Sequence, residues 1–233
     1  RVASDPQDPI GTPEKDETTI SSASVFLQQA KKTGTFWNMI GIHYWGCMGH
    51  QIINVLLVAI AVERGVGLDQ AVGILATQQG IGVFARAAVP VLAERLGSKS
   101  VWVVGMALQA FPVLIIFVAQ DTWAFYLFAV LFGIGQSCEV PTFPIANRQY
   151  YGNVPQGSLY GWQSIGSGFG MGTAPFAAGI LWDVTGTYMA PLLMSLGFSV
   201  IAFISAVLLP SPRTPLIPDW ENNLPQNLPS SIS

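Results

Sequence analysis

Residues 36–62 read FWNMIGIHYWGCMGHQIINVLLVAIAV, a run of 27 residues without Asp, Glu, Lys or Arg. A helix that crosses the hydrocarbon core of a bilayer needs about 20 apolar residues, so this stretch is long enough to span. Five more of the same kind come after it, at roughly 70–93, 100–119, 123–146, 157–182 and 187–209. The gaps between them are short. They hold Gly, Pro, Asp, Asn or charge, as expected where backbone turns among headgroups. The bilayer core offers no water, so each span must satisfy its backbone hydrogen bonds internally, and long apolar runs do so only as helices. Strands of a membrane barrel are short and alternating, and nothing here alternates. The expected fold is all-α, an integral membrane unit of six transmembrane helices.

Composition points the same way. Of 233 residues, 51% are hydrophobic and 10% are charged, and the mean hydropathy is +0.47. Soluble domains carry about a quarter charged residues, so an ordinary soluble domain is excluded. Nucleic acid is excluded as a partner because it demands a basic patch, and the net charge here is −3. Cys47 and Cys138 both sit in apolar runs, which implies neither a disulfide framework nor a zinc site. No cofactor is expected.

The charges are segregated. Residues 34–209 hold eleven, and nine of these fall in the gaps: Glu63, Arg64, Asp69, Glu94, Arg95, Lys99, Asp121, Arg148 and Asp183. Lys31, Lys32, Arg95, Lys99, Arg148 and Arg213 fall on one side of the membrane. Arg64 stands alone among basic residues on the other, with Glu63, Asp69, Asp121 and Asp183. Basic residues favour the cytoplasmic side, so both termini are expected there, and an even number of spans independently requires the termini to share a side. The chain then divides into a cytoplasmic segment 1–34, a six-helix transmembrane domain 35–209 and a cytoplasmic tail 210–233. Residues 1–24, rich in Pro, Asp, Thr and Ser, are expected to be flexible. Residues 24–34 are expected to form a short interfacial helix with Val25, Phe26 and Ala30 against lipid and Lys31 and Lys32 at the headgroups. The tail repeats Pro and Asn and reads as disordered. A plasma membrane or bacterial inner membrane is the expected location, and an N-terminal start at Arg1 reads as a piece of a longer protein.

Only Arg86 and Glu139 place charge well inside a span. A charge at membrane depth is costly, so Arg86 should face a cavity or a partner. Its guanidinium matches a carboxylate bidentately, which makes it a candidate substrate anchor. Arg86 lies eight residues before Glu94, and Glu139 nine before Arg148. At about 1.5 Å per residue the two sit at similar depth, so an Arg86–Glu139 pair is the plainer alternative. Glu139 precedes Pro141 and Pro144, which are expected to interrupt the helix and expose carbonyls. An ionisable carboxyl at that depth is a proton-coupling candidate.

His43 and His50 are seven residues apart, so they share a helix face with Cys47 and Asn54. Either they wall a hydrophilic cavity, with a histidine joining Glu139 in proton coupling, or they bond neighbouring helices. Two histidines without a carboxylate on that face are a poor ligand set, so no metal is expected. Gln79, on the face of Arg86, and Gln163, with Ser164 and Ser167, complete the cavity candidates. The substrate-binding set is thus Arg86, Gln79, His50, Asn54 and Gln163. Glu94, Arg95 and Arg148, at cytoplasmic helix ends, form either a gate latch or headgroup anchors. Gly166, Gly168, Gly170 and Gly172 permit close helix approach, expected at an interface between halves. With no strand before them they are no phosphate cradle. No triad of Ser or Cys with His and Asp appears, so no enzyme is expected.

Several stretches carry a resemblance. Residues 94–99, ERLGSK, look like the short basic loop written D-R-x-G-R-K/R, with Glu94 and Ser98 as departures. Residues 131–152, LFGIGQSCEVPTFPIANRQYYG, look like a tenth helix ending in its cytoplasmic loop. Residues 157–188 look like an eleventh helix, with Gly166, Gly168, Gly170, Gly172, Pro175 and Gly179 leading into Asp183-Val184-Thr185-Gly186-Thr187-Tyr188. The chain resembles the C-terminal half, helices seven to twelve, of a major facilitator superfamily transporter, with the polar N-terminal segment as the loop between halves. Phe84-Ala85-Arg86-Ala87-Ala88 resembles the monocarboxylate and oxalate/formate branch, which holds a substrate carboxylate with an eighth-helix arginine. Gly82 stands where the monocarboxylate pattern often has Asp, and residues 157–182 lack the eleventh-helix Lys of oxalate-type members.

The resemblance implies a secondary transporter that moves a small organic anion, such as a monocarboxylate, by alternating access with proton or exchange coupling. Its partners would be the lipid bilayer, a missing N-terminal six-helix half, the solute and protons. Two alternatives stay open. One is a permease or efflux transporter of the same fold for a neutral or cationic solute, anchored by Glu139 instead of Arg86. The other is a six-span membrane protein without transport activity.

Overall fold

A computed structural model describes residues 13–152, 154, 156–212, 215–218 and 220–223. Among them no strand occurs. The helices in chain order are α1 (Pro13–Ala30), α2 (Gly34–Glu63), α3 (Leu68–Leu96), α4 (Ser98–Ala110), α5 (Val113–Val118), α6 (Thr122–Ser137), α7 (Glu139–Tyr151), α8 (Gln156–Thr185) and α9 (Met189–Leu208), followed by a 3-10 turn at Trp220–Asn223.

All six apolar stretches are helical. Five helical stretches among the described residues are long and apolar enough to cross a membrane: Gly34–Glu63, Leu68–Leu96, Ser98–Val118, Thr122–Tyr151 and Met189–Leu208. The stretch expected at 157–182 forms α8, which at 30 residues has the length. Its glycines and polar residues dilute the apolar content below that of the other five.

Two spans are broken. The stretch at 100–119 divides into α4 and α5 around Phe111 and Pro112, because proline lacks the N–H that would continue the ladder. The second break was expected at Pro141 and Pro144. It falls instead at Cys138, between α6 and α7. Pro141 is the third residue of α7, in the first turn, where a missing N–H is tolerated. Pro144 lies inside α7 without ending it.

The helices pack into one bundle. α2 lies against α8 and α9, α3 against α6, and α4 against α6 and α9, while α7 touches α3 and α4. Two large apolar clusters hold the two ends. One gathers Phe26, Phe36, Met39, Ile42, Trp102, Phe143, Tyr150 and Leu159. The other gathers Ile53, Leu57, Ile60, Val113, Phe125, Phe128 and Phe132. Along α2, residues 43–50 separate them, and this is where the buried polar groups collect.

The charged ends group as the sequence suggests. Arg148 pairs with Glu94, Lys99 donates to the Leu209 carbonyl, and Thr33 meets Tyr151 at 3.1 Å, which puts these residues at one end. At the other end Arg64 donates to the Ala119 carbonyl at 3.1 Å.

Both terminal segments depart from expectation. The helix expected over 24–34 is α1, which starts at Pro13 and stops at Ala30. Phe26 and Ala30 do not face lipid. Both are fully buried, and Phe26 makes edge contacts with Tyr151 and Trp220 at 5.8 and 5.2 Å between ring centres. The tail, expected to be disordered, returns to the bundle over its described part: the Leu216 amide donates to the Tyr150 carbonyl at 2.7 Å. Burying Trp220 beside Phe26 supplies the apolar area, a few kcal/mol for large side chains, that composition alone does not advertise. The flexibility expected of residues 1–24 gives way to helix over residues 13–24, while residues 1–12, and residues 224–233 of the tail, lie outside the described residues.

Candidate functional site

The buried polar layer is built around Glu139, the first residue of α7, with no exposed surface. Its carboxylate lies against the backbone of α2 at Gly46. A Cβ there would stand 2.7 Å from Oε1 and 2.8 Å from Oε2, so the close approach requires glycine. The Cys47 thiol faces Oε1 at 3.7 Å. His50 Nδ1 stands 3.5 Å from Oε2, near enough for an ion pair when the imidazole carries a proton, but outside hydrogen-bond geometry. The Glu139 carbonyl accepts from Trp102 Nε1 at 3.2 Å.

His43 lies one turn from Cys47 and stacks on Phe143 with ring centres 4.3 Å apart. It is 2% exposed, and neither ring nitrogen makes a well-formed hydrogen bond, the Gln163 backbone being the polar group beside the ring. The stripe expected on α2 therefore forms. What the sequence did not show is that α7 delivers a carboxylate onto it.

Arg86 and Glu139 do not pair. Among the described residues the ion pairs are Glu94–Arg148 and His50–Glu139, and Arg86 is exposed on α3. Matching depth was correct arithmetic, but helix rotation, invisible in depth, turns Arg86 outward. Phe84, two residues earlier, is 77% exposed.

The remaining candidates separate into two groups. Asn54 accepts from Gln78 Nε2 at 2.6 Å and from Gln79 Nε2 at 3.2 Å, which ties α2 to α3 about two helical turns from Arg86. Gln163 is fully buried on α8 and exchanges two hydrogen bonds with Asn147 of α7, at 2.8 and 3.0 Å. At the charged end the Glu94–Arg148 pair is half-exposed, while Arg95 is exposed and unpaired among the described residues.

Sequence reasoning missed Gln109, Ser195, Ser199 and Gly46. Gln109 is buried and donates to the Gly46 carbonyl at 2.9 Å. Ser195 donates to the Gly49 carbonyl at 2.8 Å. The available signal was the pair Gly46 and Gly49 flanking Cys47, since small residues let neighbours reach helix backbone.

The family model described as Major Facilitator Superfamily matches residues 25–228. No curated protein matches the chain.

Proposed function

The chain belongs to the Major Facilitator Superfamily, a family of membrane transporters, and from that premise we propose that it is the C-terminal half of a secondary transporter for a small organic anion such as a monocarboxylate. It pairs with an N-terminal six-helix half and works by alternating access around a site between halves. All six helical stretches cross the membrane, α8 included, with both termini cytoplasmic, in a plasma membrane or bacterial inner membrane.

The observation that carries the solute class is Arg86, a cation at membrane depth that stands exposed without an ion-pair partner among the described residues. Such a charge is too costly to leave facing lipid. A cavity at the contact with the other half gives it water and an anionic ligand. Gln79 and Asn54 lie on the same side of the bundle and supply neutral hydrogen bonds. Large apolar side chains, Val83 and Phe84 of α3 and Phe169 and Phe176 of α8, are exposed in the chain alone and suit a surface that a second half covers. Proton coupling or exchange drives the cycle, with Glu139, His50 and His43 as the proton-coupling residues. Glu94 and Arg148 form the cytoplasmic latch, with Arg95 beside it.

The test is uptake of radiolabelled monocarboxylates by proteoliposomes that hold the chain with its partner half, with and without a pH gradient. Arg86→Gln is expected to abolish uptake while leaving insertion intact. Wild-type uptake in that variant removes Arg86 as the anchor. Uptake of a cationic solute that depends on Glu139 instead installs the permease reading. The chain alone is expected to insert without transporting, and uptake by it alone would show a self-sufficient unit.

A further inference from the structure

Three side chains of different chemistry meet between α2 and α7. His43, Cys47 and Glu139 each offer an atom within 4.8 Å of the other two, and their exposures are 2%, 1% and 0%. His43 and Cys47 come one turn apart from the same face of α2. Glu139 comes from the start of α7, over the gap left by Gly46. The carboxylate thus supplies what α2 lacks as a ligand set.

The spacing suits a metal ion. Tetrahedral zinc ligands sit about 2.0–2.3 Å from the ion, which puts them roughly 3.3–3.7 Å from one another. The Cys47 sulfur is 3.7 Å from Glu139 Oε1, and the donor atoms of His43, Cys47 and Glu139 all lie within 4.8 Å of one another. Neither ring nitrogen of His43 makes a well-formed hydrogen bond, and Oε2 of Glu139 has His50 Nδ1 near it only at ion-pair distance. Buried polar groups normally make a hydrogen bond, and an orphan calls for an explanation. Charge fits as well, because one thiolate and one carboxylate cancel a dication and leave the low-dielectric interior neutral.

We infer that His43, Cys47 and Glu139 bind one borderline-soft divalent transition-metal ion, best matched by Zn2+, with His50 as the residue that positions the Glu139 carboxylate. Imidazole and thiolate suit zinc-class ions, whereas Mg2+ and Ca2+ take oxygen ligands. On binding, Cys47 releases its thiol proton and coordinates as thiolate, and His43 coordinates as neutral imidazole. His50, whose side chain is 12% exposed, marks the side from which the ion arrives. The inference stands apart from the identity of the solute, but it competes with proton coupling at Glu139 and His43, because both coordinate in their deprotonated forms while the ion is bound.

The test titrates the purified full chain in detergent with Co2+, whose thiolate-to-metal charge-transfer absorption reports a Co–S bond. One equivalent is expected to saturate the band, and Zn2+ to bleach it by displacement. Cys47→Ser should abolish the band. Cys138→Ser should keep it, since Cys138 faces the Ile134 carbonyl instead. His43→Gln and Glu139→Gln should each weaken Co2+ binding at least tenfold, and His50→Gln by about 10–100-fold, as for partners that orient a ligand. Circular dichroism and melting without metal check that each variant folds. No band in the wild type, or a band that survives Cys47→Ser, overturns the inference. The readout is spectroscopic, so it is independent of uptake.

Discussion

At the residue scale, Gly46 and Glu139 define one another. An added methyl at residue 46 meets the carboxylate at 2.7–2.8 Å, so Gly46→Ala must displace Glu139 or the α2 backbone. Overpacking of this kind costs about 1–3 kcal/mol, to be read as a fall in the thermal midpoint of the purified protein. Glu139 was legible in the sequence as a membrane-depth charge, and His43, Cys47 and His50 as one stripe. Their meeting was not legible, because it depends on the rotation of α7 about its axis. The rotation of α3, which leaves Arg86 exposed, likewise dissolves the pairing of Arg86 with Glu139. Arg86→Gln and Glu139→Gln are therefore expected to act additively on stability, within about 0.5 kcal/mol. His50→Gln and Glu139→Gln, which share a contact, should show a coupling of about 0.5–3 kcal/mol in a double-mutant cycle. A rescue in the Arg86–Glu139 double variant would contradict the geometry.

At the scale of elements, the glycine ladder of α8 works on two faces. A Cβ at Gly170 would stand 2.6 Å from the Tyr44 carbonyl, and one at Gly166 3.1 Å from the Ile40 carbonyl, so these two seat α8 against α2 within the same unit. Gly168 and Gly172 have nothing within 4 Å. The sequence showed four evenly spaced glycines and assigned all of them to an interface between halves. It could not show that alternate members serve the interior, because spacing of two on a helix places neighbours on different faces. Gly170→Ala is expected to lower the thermal midpoint of the isolated chain. Gly172→Ala should leave it unchanged or raise it, since alanine is the better helix former by up to about 1 kcal/mol. Equal melting of the two variants would argue against this division. Helix positions themselves were largely legible from apolar length. The Cys138 break was not, because a proline in the first turn of a helix leaves the later turns intact.

At the scale of the whole molecule, segregation of charge in the sequence anticipated which helix ends lie together, since like-sided basic residues gather through Arg148–Glu94 and Lys99–Leu209. The docking of α1 and of Trp220 was illegible because single aromatic residues in polar segments carry no period. Cysteines placed at Asp121 or Asp183, both exposed, are expected to label from outside intact cells, and one at the exposed Ser100 is not. The native thiols, Cys47 and Cys138, are buried, so they add little background. External labelling at Ser100 would invert the orientation. The two apolar clusters have a mechanical consequence. Along α2 a polar stretch lies between them, so the bundle is clamped at both ends, and packing at one end can loosen while the other holds. A rigid block could only tilt, whereas this one can flare at one mouth. Phe128→Ala, which removes a fully buried ring from the cluster around Ile53 and Phe125, should hasten hydrogen exchange in residues 53–61 and leave residues 36–42 protected as before, because local opening tracks local packing.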